Sequence, residues 1–297
     1  MVQECHGAQR LEGETTARKC CWVCQASFNE TNFAYDFTAE APWRSTIMTQ
    51  ADWWNSAVVE NWFVSAIWQI PGFHLSCIRQ DWMHTVDLGT LQYLSGNCMW
   101  EAFREVGGSF KQWKGACGRL QNLCDMCAKR LGLEKPFHSL TIQMFRSKAS
   151  SKPKMKLKAA EGRHFLPVLR EVLATCFSMV TVHEQTRLQA VDALLDAYRL
   201  LENWNADSPH QFARHIRRHL ILLCDIRANQ EDPLLWCLFP KHHLLIHLAE
   251  SSFVNPRLEW NYGDEDEIGR AVGLSKYTSS AHMATSLLAR YRATFEL

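Results

Sequence analysis

The most regular pattern in the sequence is helical and lies between residues 161 and 229, where it predicts three successive helices. In the middle of this region apolar side chains recur every three or four residues, at Leu188, Val191, Leu194, Leu195, Tyr198 and Leu201. Residues at that spacing lie on one face of an α-helix, and that face has to be buried against other elements. Such a chain must therefore fold around packed helices.

Helical spacing extends on both sides of this region, whereas strand patterns cluster early in the chain. Residues 73–80 follow a Pro71-Gly72 turn, alternate in part between apolar and polar residues, and predict a strand that ends at Asp81. The expected fold class is α/β but mostly helical, with a small sheet-containing core and a large α-helical insertion. Further helices are expected over about 46–70, 90–105 and 109–133, from Pro233 to about 251, and from about 264 onward.

Composition excludes several classes of protein. The 297 residues carry a net charge of +1, so binding to nucleic acid would need a local basic patch. No apolar run approaches the ~20 residues of a membrane-spanning helix, and the N-terminus lacks the basic and apolar regions of a secretory signal. The sequence therefore predicts no membrane association, no secretion, and a nuclear or cytoplasmic location. The twelve cysteines are expected to be reduced thiols or metal ligands.

Two groups of carboxylates are candidates for a catalytic metal site. Asp81 stands at the end of the predicted strand, where a carboxylate could bind Mg²⁺ or Mn²⁺; the spacing alone favours the alternative, in which Asp81 caps the helix that follows. The run Asp264-Glu265-Asp266-Glu267 opens the last predicted helix, where negative charge also suits the helix dipole. Together the two groups could share a pair of metal ions about 4 Å apart and cleave a phosphodiester bond.

A third set of residues could bind zinc. Cys21 and Cys24 form a CxxC pair, and His243 and His247 are four residues apart, hence on one face of a helix. Two thiolates and two imidazoles form a tetrahedral Zn²⁺ site if folding brings them together. A second CxxC pair, at 124–127, lies within a helical pattern and is either a pair of buried thiols or another metal site.

The segment 146–158 is a basic loop in which lysines stand among serines and a proline, at Lys148, Lys152, Lys154, Lys156 and Lys158. Each lysine could contact a phosphate and displace a counterion, which would make the loop a DNA-binding strip. The alternative is an ordinary solvated loop. No aromatic residues are interleaved with these lysines, which argues against stacking on single-stranded bases.

Several short motifs follow one another along residues 20–295. From the N-terminus they are Cys20-Cys21-Trp22-Val23-Cys24, Ala41-Pro42-Trp43-Arg44, Pro71-Gly72-Phe73, Asp81-Trp82-Met83-His84-Thr85-Val86-Asp87-Leu88-Gly89, Gly96-Asn97, Pro240-Lys241-His242-His243-Leu244-Leu245-Ile246-His247-Leu248-Ala249-Glu250, Asn255-Pro256-Arg257-Leu258-Glu259-Trp260 and Asp264-Glu265-Asp266-Glu267-Ile268-Gly269. In order and spacing they resemble a family of uncharacterised transposon-derived proteins. More distantly, they are similar to DDE transposases of the CACTA and Kyakuja–Dileera–Zisupton types.

The resemblance implies an RNase H-like core and cleavage and transfer of DNA strands by a two-metal mechanism. It implies that Asp81 is the second catalytic acid, that Glu265, or else Asp266, is the third, and that the cysteine pair belongs to a zinc-binding insertion. Residues 1–19 are polar and patternless, which predicts a disordered or frayed terminus. The resemblance then implies a partial RNase H-like core with a cysteine-containing insertion over 20–105, a helical insertion with the basic loop over 106–250, and a helical part that returns to the core over 251–297.

In the family, the first catalytic Asp lies upstream of the cysteine pair. This chain departs from that pattern, because residues 1–19 contain no Asp. The chain is therefore expected to be N-terminally truncated relative to the family and catalytically impaired, since a two-metal site depends on bridging carboxylates. Three functions are consistent with this: a transposase-derived domain that acts on or binds DNA, a non-catalytic zinc-containing module that binds DNA or protein, and a pseudogene remnant. DNA is the expected partner, and the sequence is compatible with self-association.

Overall fold

The computed structural model describes residues 20–28, 31–52, 55, 70–74, 77–263, 268–270 and 272, and this part of the chain is mostly helical, as expected. Its α-helices are α1 (Leu91–Glu105), α2 (Trp113–Arg130), α3 (Ile142–Phe145), α4 (Ala159–Cys176), α5 (Val182–Glu202), α6 (Ser208–Ala228) and α7 (Pro240–Ser251). A π-helix (Met83–Thr90) runs directly into α1, and 3₁₀ helices are found at Pro42–Thr46 and Pro256–Leu258.

The three helices predicted between residues 161 and 229 are confirmed as α4, α5 and α6. The apolar face of α5 is buried in the core at Val191, Leu194, Leu195, Tyr198 and Leu201. This helix begins with a capping box, in which Thr181 Oγ1 accepts the N–H of Glu184 at 3.2 Å and the Glu184 carboxylate accepts the N–H of Thr181 at 3.1 Å. These bonds satisfy amide groups that a helix leaves unpaired in its first turn.

The prediction that a helix begins at Pro233 is wrong, since α7 begins at Pro240. Between the two prolines the chain turns, and Trp236 has a positive φ of 54°, which lies outside the helical region of backbone conformations. Trp236 is held there because its backbone N–H donates to Asn97 Oδ1 at 2.9 Å and its indole N–H donates to Glu101 Oε1 at 2.6 Å. Tertiary contacts of a buried aromatic residue thus override the local helical pattern.

The strand predicted at 73–80 is not found in the residues described there, which are 73, 74 and 77–80. In the described part of the chain, β-pairing consists of an isolated bridge between Ser27 and Phe33. A strand is stable only when its backbone groups pair with a neighbouring strand, and no such partner lies beside 77–80 among the described residues. The sheet of the predicted α/β class therefore has no counterpart there, whereas the helical class holds.

One continuous cluster of buried apolar side chains extends from Cys21 to Ala249 and includes residues of every α-helix named above. Trp43 and Trp82 are among its largest fully buried members. Segments far apart in sequence therefore share one core, which is what brings the candidate ligands together. Of the helices the structure describes, none combines the length and apolarity needed to cross a membrane.

Candidate metal centre and neighbouring polar sites

The four predicted zinc ligands, Cys21, Cys24, His243 and His247, meet in one cluster. Cys21 and Cys24 lie in the loop before the first 3₁₀ helix, and His243 and His247 lie one turn apart on α7. All four residues are buried, and their ligand atoms lie within 4.8 Å of one another. A Cys₂His₂ set of this kind could bind a metal ion such as zinc.

The separations between the ligand atoms fit a tetrahedral Zn²⁺ ion. Cys24 Sγ lies 3.2 Å from His243 Nε2 and 3.3 Å from His247 Nε2, and the two Nε2 atoms lie 3.0 Å apart. Zinc bonds of about 2.1 Å to nitrogen and 2.3 Å to sulfur, at tetrahedral angles, give separations of roughly 3.4 to 3.8 Å. Binding of the ion would therefore need only small outward shifts of these three atoms.

Backbone groups around the cluster hold its side chains in a ligating orientation. Each cysteine sulfur accepts the N–H of the residue two positions later, at 3.3 Å for Cys21 and 3.4 Å for Cys24. Nδ1 of His243 lies 2.7 Å from the carbonyl oxygen of Ala34. Because a carbonyl oxygen can only accept, Nδ1 carries the proton and Nε2 keeps its lone pair for a metal. Contacts of this kind orient ligands and stabilise thiolates.

The electrostatics of the cluster favour one thiolate. Burial raises the pKa of the Cys21 thiol, but hydrogen bonds with Cys24, His243 and His247 outweigh burial and lower that pKa well below its usual range. The pKa of Cys24 is raised, because this thiol donates a hydrogen bond to Cys21 and because it is buried. The two thiols thus share one proton, which a bound divalent cation would displace.

Trp43 is fully buried and packs edge-on against both histidine ligands, with its ring centroid 4.7 and 4.9 Å from the two imidazole centroids. Its indole N–H donates to the carbonyl oxygen of Asp36 at 2.7 Å. The neighbouring Arg44 forms an ion pair of 2.5 Å with Glu250 near the end of α7. These contacts fix the first 3₁₀ helix to α7. Sequence reasoning gave Trp43 no role, and its place in the Ala41–Arg44 motif was the available indication.

The second CxxC pair agrees with the buried-thiol interpretation. Cys124 and Cys127 are buried in α2, and neither belongs to a group of three or more metal-ligating side chains in the described residues. Burial raises the pKa of both thiols, which disfavours the thiolate form that a metal requires. They act as small apolar side chains of the core.

Asp81 caps the helix that follows it. Its carboxylate oxygens accept the N–H groups of Met83 at 3.2 Å and of His84 at 2.8 Å. Its backbone carbonyl accepts the N–H of Thr85 at 3.0 Å, which is the first hydrogen bond of the helix. This is the structural alternative expected for an Asp that precedes a helix.

The carboxylate of Asp81 makes two further contacts. His84 Nδ1 lies 2.5 Å from one oxygen, and the N–H of Asn261 donates to the other at 2.9 Å. Glu265 and Asp266, the other predicted catalytic acids, lie outside the described residues, so their relation to Asp81 stays a prediction. Among the residues that are described, Asp81 belongs to no group of three metal-ligating side chains.

Asp87 lies in the π-helix and is fully buried. It accepts hydrogen bonds from the hydroxyl groups of Tyr198 on α5 and of Tyr262, the latter at 2.7 Å. Burial raises the pKa of Asp87 to about 6, although both tyrosine donors act to lower it. These bonds hold the chain around Tyr262 against the π-helix. Sequence reasoning assigned Asp87 no separate role, because nothing local distinguishes a buried carboxylate from an exposed one.

The predicted basic loop contains an extended segment, which we call the lysine strip and define as Lys152, Lys154, Lys156 and Lys158. These lysines alternate with three buried residues, Pro153, Met155 and Leu157. Because side chains alternate between the two faces of an extended chain, the apolar residues face the core and the lysines lie on the other side. Lys148, the remaining predicted phosphate contact, is exposed in the turn before the strip.

The lysine strip lies directly against α1. The N–H of Met155 donates to the carbonyl oxygen of Gln92 at 2.7 Å, and the Gln92 side-chain amide donates to the carbonyl oxygen of Leu157 at 2.8 Å. A Cβ atom placed on Gly96 would stand 2.5 Å from the backbone nitrogen of Lys154, so only glycine permits this close approach. The backbone of the strip is therefore held in place against α1.

Folding places two aromatic rings beside the strip, although the sequence shows none among its lysines. Tyr93 on α1 and Phe239 before α7 stack with ring centroids 4.0 Å apart. Lys152 Nζ lies 4.8 Å from the Phe239 centroid, and Lys154 Nζ lies 5.3 Å from the Tyr93 centroid. These cation–π contacts help to position both ammonium groups.

A comparison of the chain with protein-family models, with curated proteins and with solved structures returns no match in any of the three. The class of protein is thus defined by its fold and site: it is mostly helical, and its buried Cys₂His₂ cluster could bind a metal ion such as zinc. Its activity has to be inferred from the chemistry of the surfaces described above.

Proposed function

We propose that this chain is a non-catalytic, zinc-stabilised domain that binds the phosphate backbone of DNA through the lysine strip. The observation that carries the proposal is the strip itself, an extended cationic segment fixed to α1. Side chains on one face of an extended chain are roughly 6.6 Å apart, so its charges form a row about 20 Å long. The phosphate backbone of DNA is a linear polyanion, so its phosphates can lie along such a row of positive charges.

The strip concentrates positive charge in one short segment. Because the net charge of the whole chain is only +1, phosphate binding requires such a local concentration of positive charge. Lys241, whose Nζ donates to the carbonyl oxygen of His84 at 2.7 Å, adds positive charge near Lys154. Each lysine that contacts a phosphate releases a condensed counterion. Phosphate contacts carry no sequence information, so we propose DNA binding with little preference for sequence.

The metal centre has a structural role in this proposal. Four ligands from the protein complete a tetrahedral zinc shell and leave no open position for a substrate. The centre joins the loop that contains Cys21 to α7, and Phe239, the residue before α7, contacts Lys152 of the strip. Zinc would therefore stabilise the scaffold that holds the lysines in place.

The proposed relation to DDE transposases, and with it the RNase H-like core, rests on the order of the sequence motifs. Catalysis is left out of the proposal because both carboxylate oxygens of Asp81 already accept backbone N–H groups, from Met83 and Asn261 on one oxygen and from His84 on the other. A catalytic Mg²⁺ or Mn²⁺ would have to compete with these donors for the same lone pairs.

Replacement of all four strip lysines by glutamine is expected to remove most of the salt-dependent DNA binding. Four phosphate contacts give a slope of about −3.6 in a plot of log binding constant against log salt concentration, and the variant should lose most of it. Fluorescence anisotropy of a labelled duplex, measured over a range of salt concentrations, provides the slope.

A matched control carries the same four substitutions at exposed lysines outside the strip, Lys111, Lys114, Lys129 and Lys135. This control makes the same change in net charge and is expected to keep the wild-type slope. Equal loss in both variants would mean that binding follows total charge and not the strip. A wild-type protein that fails to bind DNA would contradict the proposed function itself.

Strand cleavage at Asp81 is the second candidate function, and one contact favours it. The residue that donates its N–H to Asp81 at 2.9 Å is Asn261, which precedes Glu265 by only four positions in the chain. If Glu265 or Asp266 joined Asp81, the carboxylates could bind Mg²⁺ or Mn²⁺ and cleave a phosphodiester bond.

Two substitutions at Asp81 separate helix capping from catalysis. Asp81→Asn keeps an acceptor for the helix amides and should unfold in urea near the wild-type midpoint, whereas Asp81→Ala should lose about 1 kcal/mol. In a plasmid-nicking assay with Mg²⁺ or Mn²⁺, we expect the same background for the wild type and both variants. Nicking by the wild type that Asp81→Asn abolishes would establish strand cleavage instead.

A further inference from the structure

A cleft of about 690 Å³ lies apart from the metal centre and the lysine strip. It is bounded by α1, by the turn between α4 and α5, by the start of α5 and by residues before α7. Its lining includes Trp100, Arg104, Phe110, Arg146, His183 and Arg187. A volume of this size is typical of sites for small molecules.

Two of the arginines in the cleft are buried, which is rare for a charged side chain. Arg187 is 1% exposed and Arg146 is 5% exposed. The Arg187 guanidinium lies 3.8 Å from the Phe177 ring centroid, and that of Arg146 lies 4.3 Å from the Trp100 centroid. Nε of Arg146 and both Nε and Nη2 of Arg187 have no hydrogen-bond acceptor among the described residues. Buried donors are nearly always paired, so these three nitrogens are exceptional; they have almost no accessible surface and contribute positive charge to the cleft wall.

Two carboxylates of the cleft lining, Glu101 and Glu184, already accept hydrogen bonds. Glu101 accepts hydrogen bonds from Arg187 and from the imidazole of His183, and also from the indole N–H of Trp236. Glu184 accepts two backbone N–H groups at the start of α5. Neither carboxylate is therefore available to the remaining arginine donors.

Arg146 and Arg104 keep donors toward the cleft. Arg146 donates from Nη2 to the carbonyl oxygen of Ala149 at 2.8 Å and lies 3.9 Å from Asp232, which is too far for a hydrogen bond. Arg104 is exposed, as is Glu105, the other charged residue of α1 at that end of the cleft. Planar guanidinium groups match the oxygens of a phosphate better than an ammonium group does.

The loops around the cleft contain two residues with positive φ, Met179 at 58° and Trp236 at 54°. Neither is glycine, so each conformation is strained and has to be stabilised by its surroundings. Strained residues of this kind concentrate at ligand-binding sites. Met179 lies between Phe177 and Thr181, both of which line the cleft.

We infer that this cleft binds the phosphate group of a nucleotide-sized ligand. Arg146 and Arg104 supply guanidinium donors at the wall of the cleft, and the buried Arg187, which is paired with Glu101, adds positive charge to the lining. Trp100 and Phe110, whose ring centroids lie 5.3 Å apart, provide apolar surface for a ring of the ligand. The inference goes beyond the proposed DNA binding and does not depend on it. The phosphate comes either from a free nucleotide or from the DNA backbone. The DNA backbone is a possible source because Arg146 is the first residue of the basic loop that leads into the lysine strip.

Isothermal titration calorimetry with AMP, and with adenosine as the matched probe that lacks a phosphate, tests the inference on the zinc-loaded protein. We expect saturable AMP binding and at least about tenfold weaker binding of adenosine.

Arg146→Lys keeps the charge but removes the planar fork, and should weaken AMP binding about 10- to 100-fold. Arg104→Ala changes only an exposed side chain and should cause a smaller loss. Arg199→Ala, on the exposed surface of α5 outside the cleft, should bind AMP as the wild type does.

Competition with a DNA duplex distinguishes the two sources of phosphate. Displacement of AMP by the duplex supports a backbone phosphate of DNA as the occupant, and simultaneous binding of both supports a free nucleotide. Absence of saturable AMP binding, equal binding of adenosine, or unchanged affinity in both Arg146→Lys and Arg104→Ala would overturn the inference. AMP binding without any DNA binding would refute the proposed function alone and leave the cleft site in place.

Discussion

Removal of the metal from the Cys₂His₂ cluster is expected to lower the free energy of unfolding by about 5 kcal/mol or more. The thiols and imidazoles are buried, and the Nε2 atoms of His243 and His247 and the Sγ of Cys24 lie 3.0 to 3.3 Å from one another. Without a cation, folding has to bury these polar groups with only one another and a few backbone groups as partners. Because the unfolded chain has no preformed site, the free energy of zinc binding adds to the free energy of folding.

Urea unfolding before and after treatment with a chelator measures this effect, together with elemental analysis for zinc. We expect one zinc per chain and a large fall in the unfolding midpoint when it is removed. Cys24→Ser should reproduce the metal-free protein, because Cys24 contacts both histidine ligands. Cys77→Ser is the control, since Cys77 is exposed and lies outside the cluster. Protein that carries no zinc and keeps its stability in the chelator would exclude a metal centre here.

Gly96→Ala is expected to destabilise the protein by about 3 kcal/mol and to weaken DNA binding. The added Cβ would stand 2.5 Å from the nitrogen and 2.6 Å from the Cα of Lys154, and 2.7 Å from the carbonyl carbon of Pro153. All three are backbone atoms, so no side-chain rotation relieves the overlap and the lysine strip has to move away from α1. That movement would break the hydrogen bonds with Gln92 and expose Met155.

Gly118→Ala on α2 is the matched control for this substitution. A Cβ at Gly118 meets no atom within 4 Å, so alanine should stabilise the helix by up to about 1 kcal/mol through its higher helix propensity. The two glycine variants are thus expected to change the urea midpoint in opposite directions. A Gly96→Ala protein with wild-type stability and an unchanged salt slope for DNA would show that the strip is not clamped to α1.

Local patterns in the sequence were sufficient to predict most helices of the described fold. The spacing on α5 and the Thr181–Glu184 capping box act within a few residues, so they can be recognised without tertiary structure. The predicted start at Pro233 failed because Trp236 adopts a positive φ that is held by contacts with α1. Such contacts join residues more than a hundred positions apart and leave no local pattern.

For the metal site too, one part could be predicted from local sequence and the other part could not. Each half was evident from spacing, since the CxxC pair and the two histidines at i and i+4 are local arrangements. That they meet was decided by tertiary packing, because Cys24 and His243 are 219 positions apart. Trp43 and the Ala34 carbonyl, which orient the histidines, were not predicted, because their role depends on that meeting.

By itself, the sequence determined the helical class, the two halves of the metal site and the positions of the basic residues, because these depend on residue type and short spacing. Tertiary structure decided that the backbone of the lysine strip lies against α1, since Gln92 bonds to it and Gly96 permits the close approach. It also decided that Asp81 acts as a helix cap that contacts Asn261. A carboxylate can accept a hydrogen bond from an amide or coordinate a metal ion, and only the neighbours that the fold places around it select between the two.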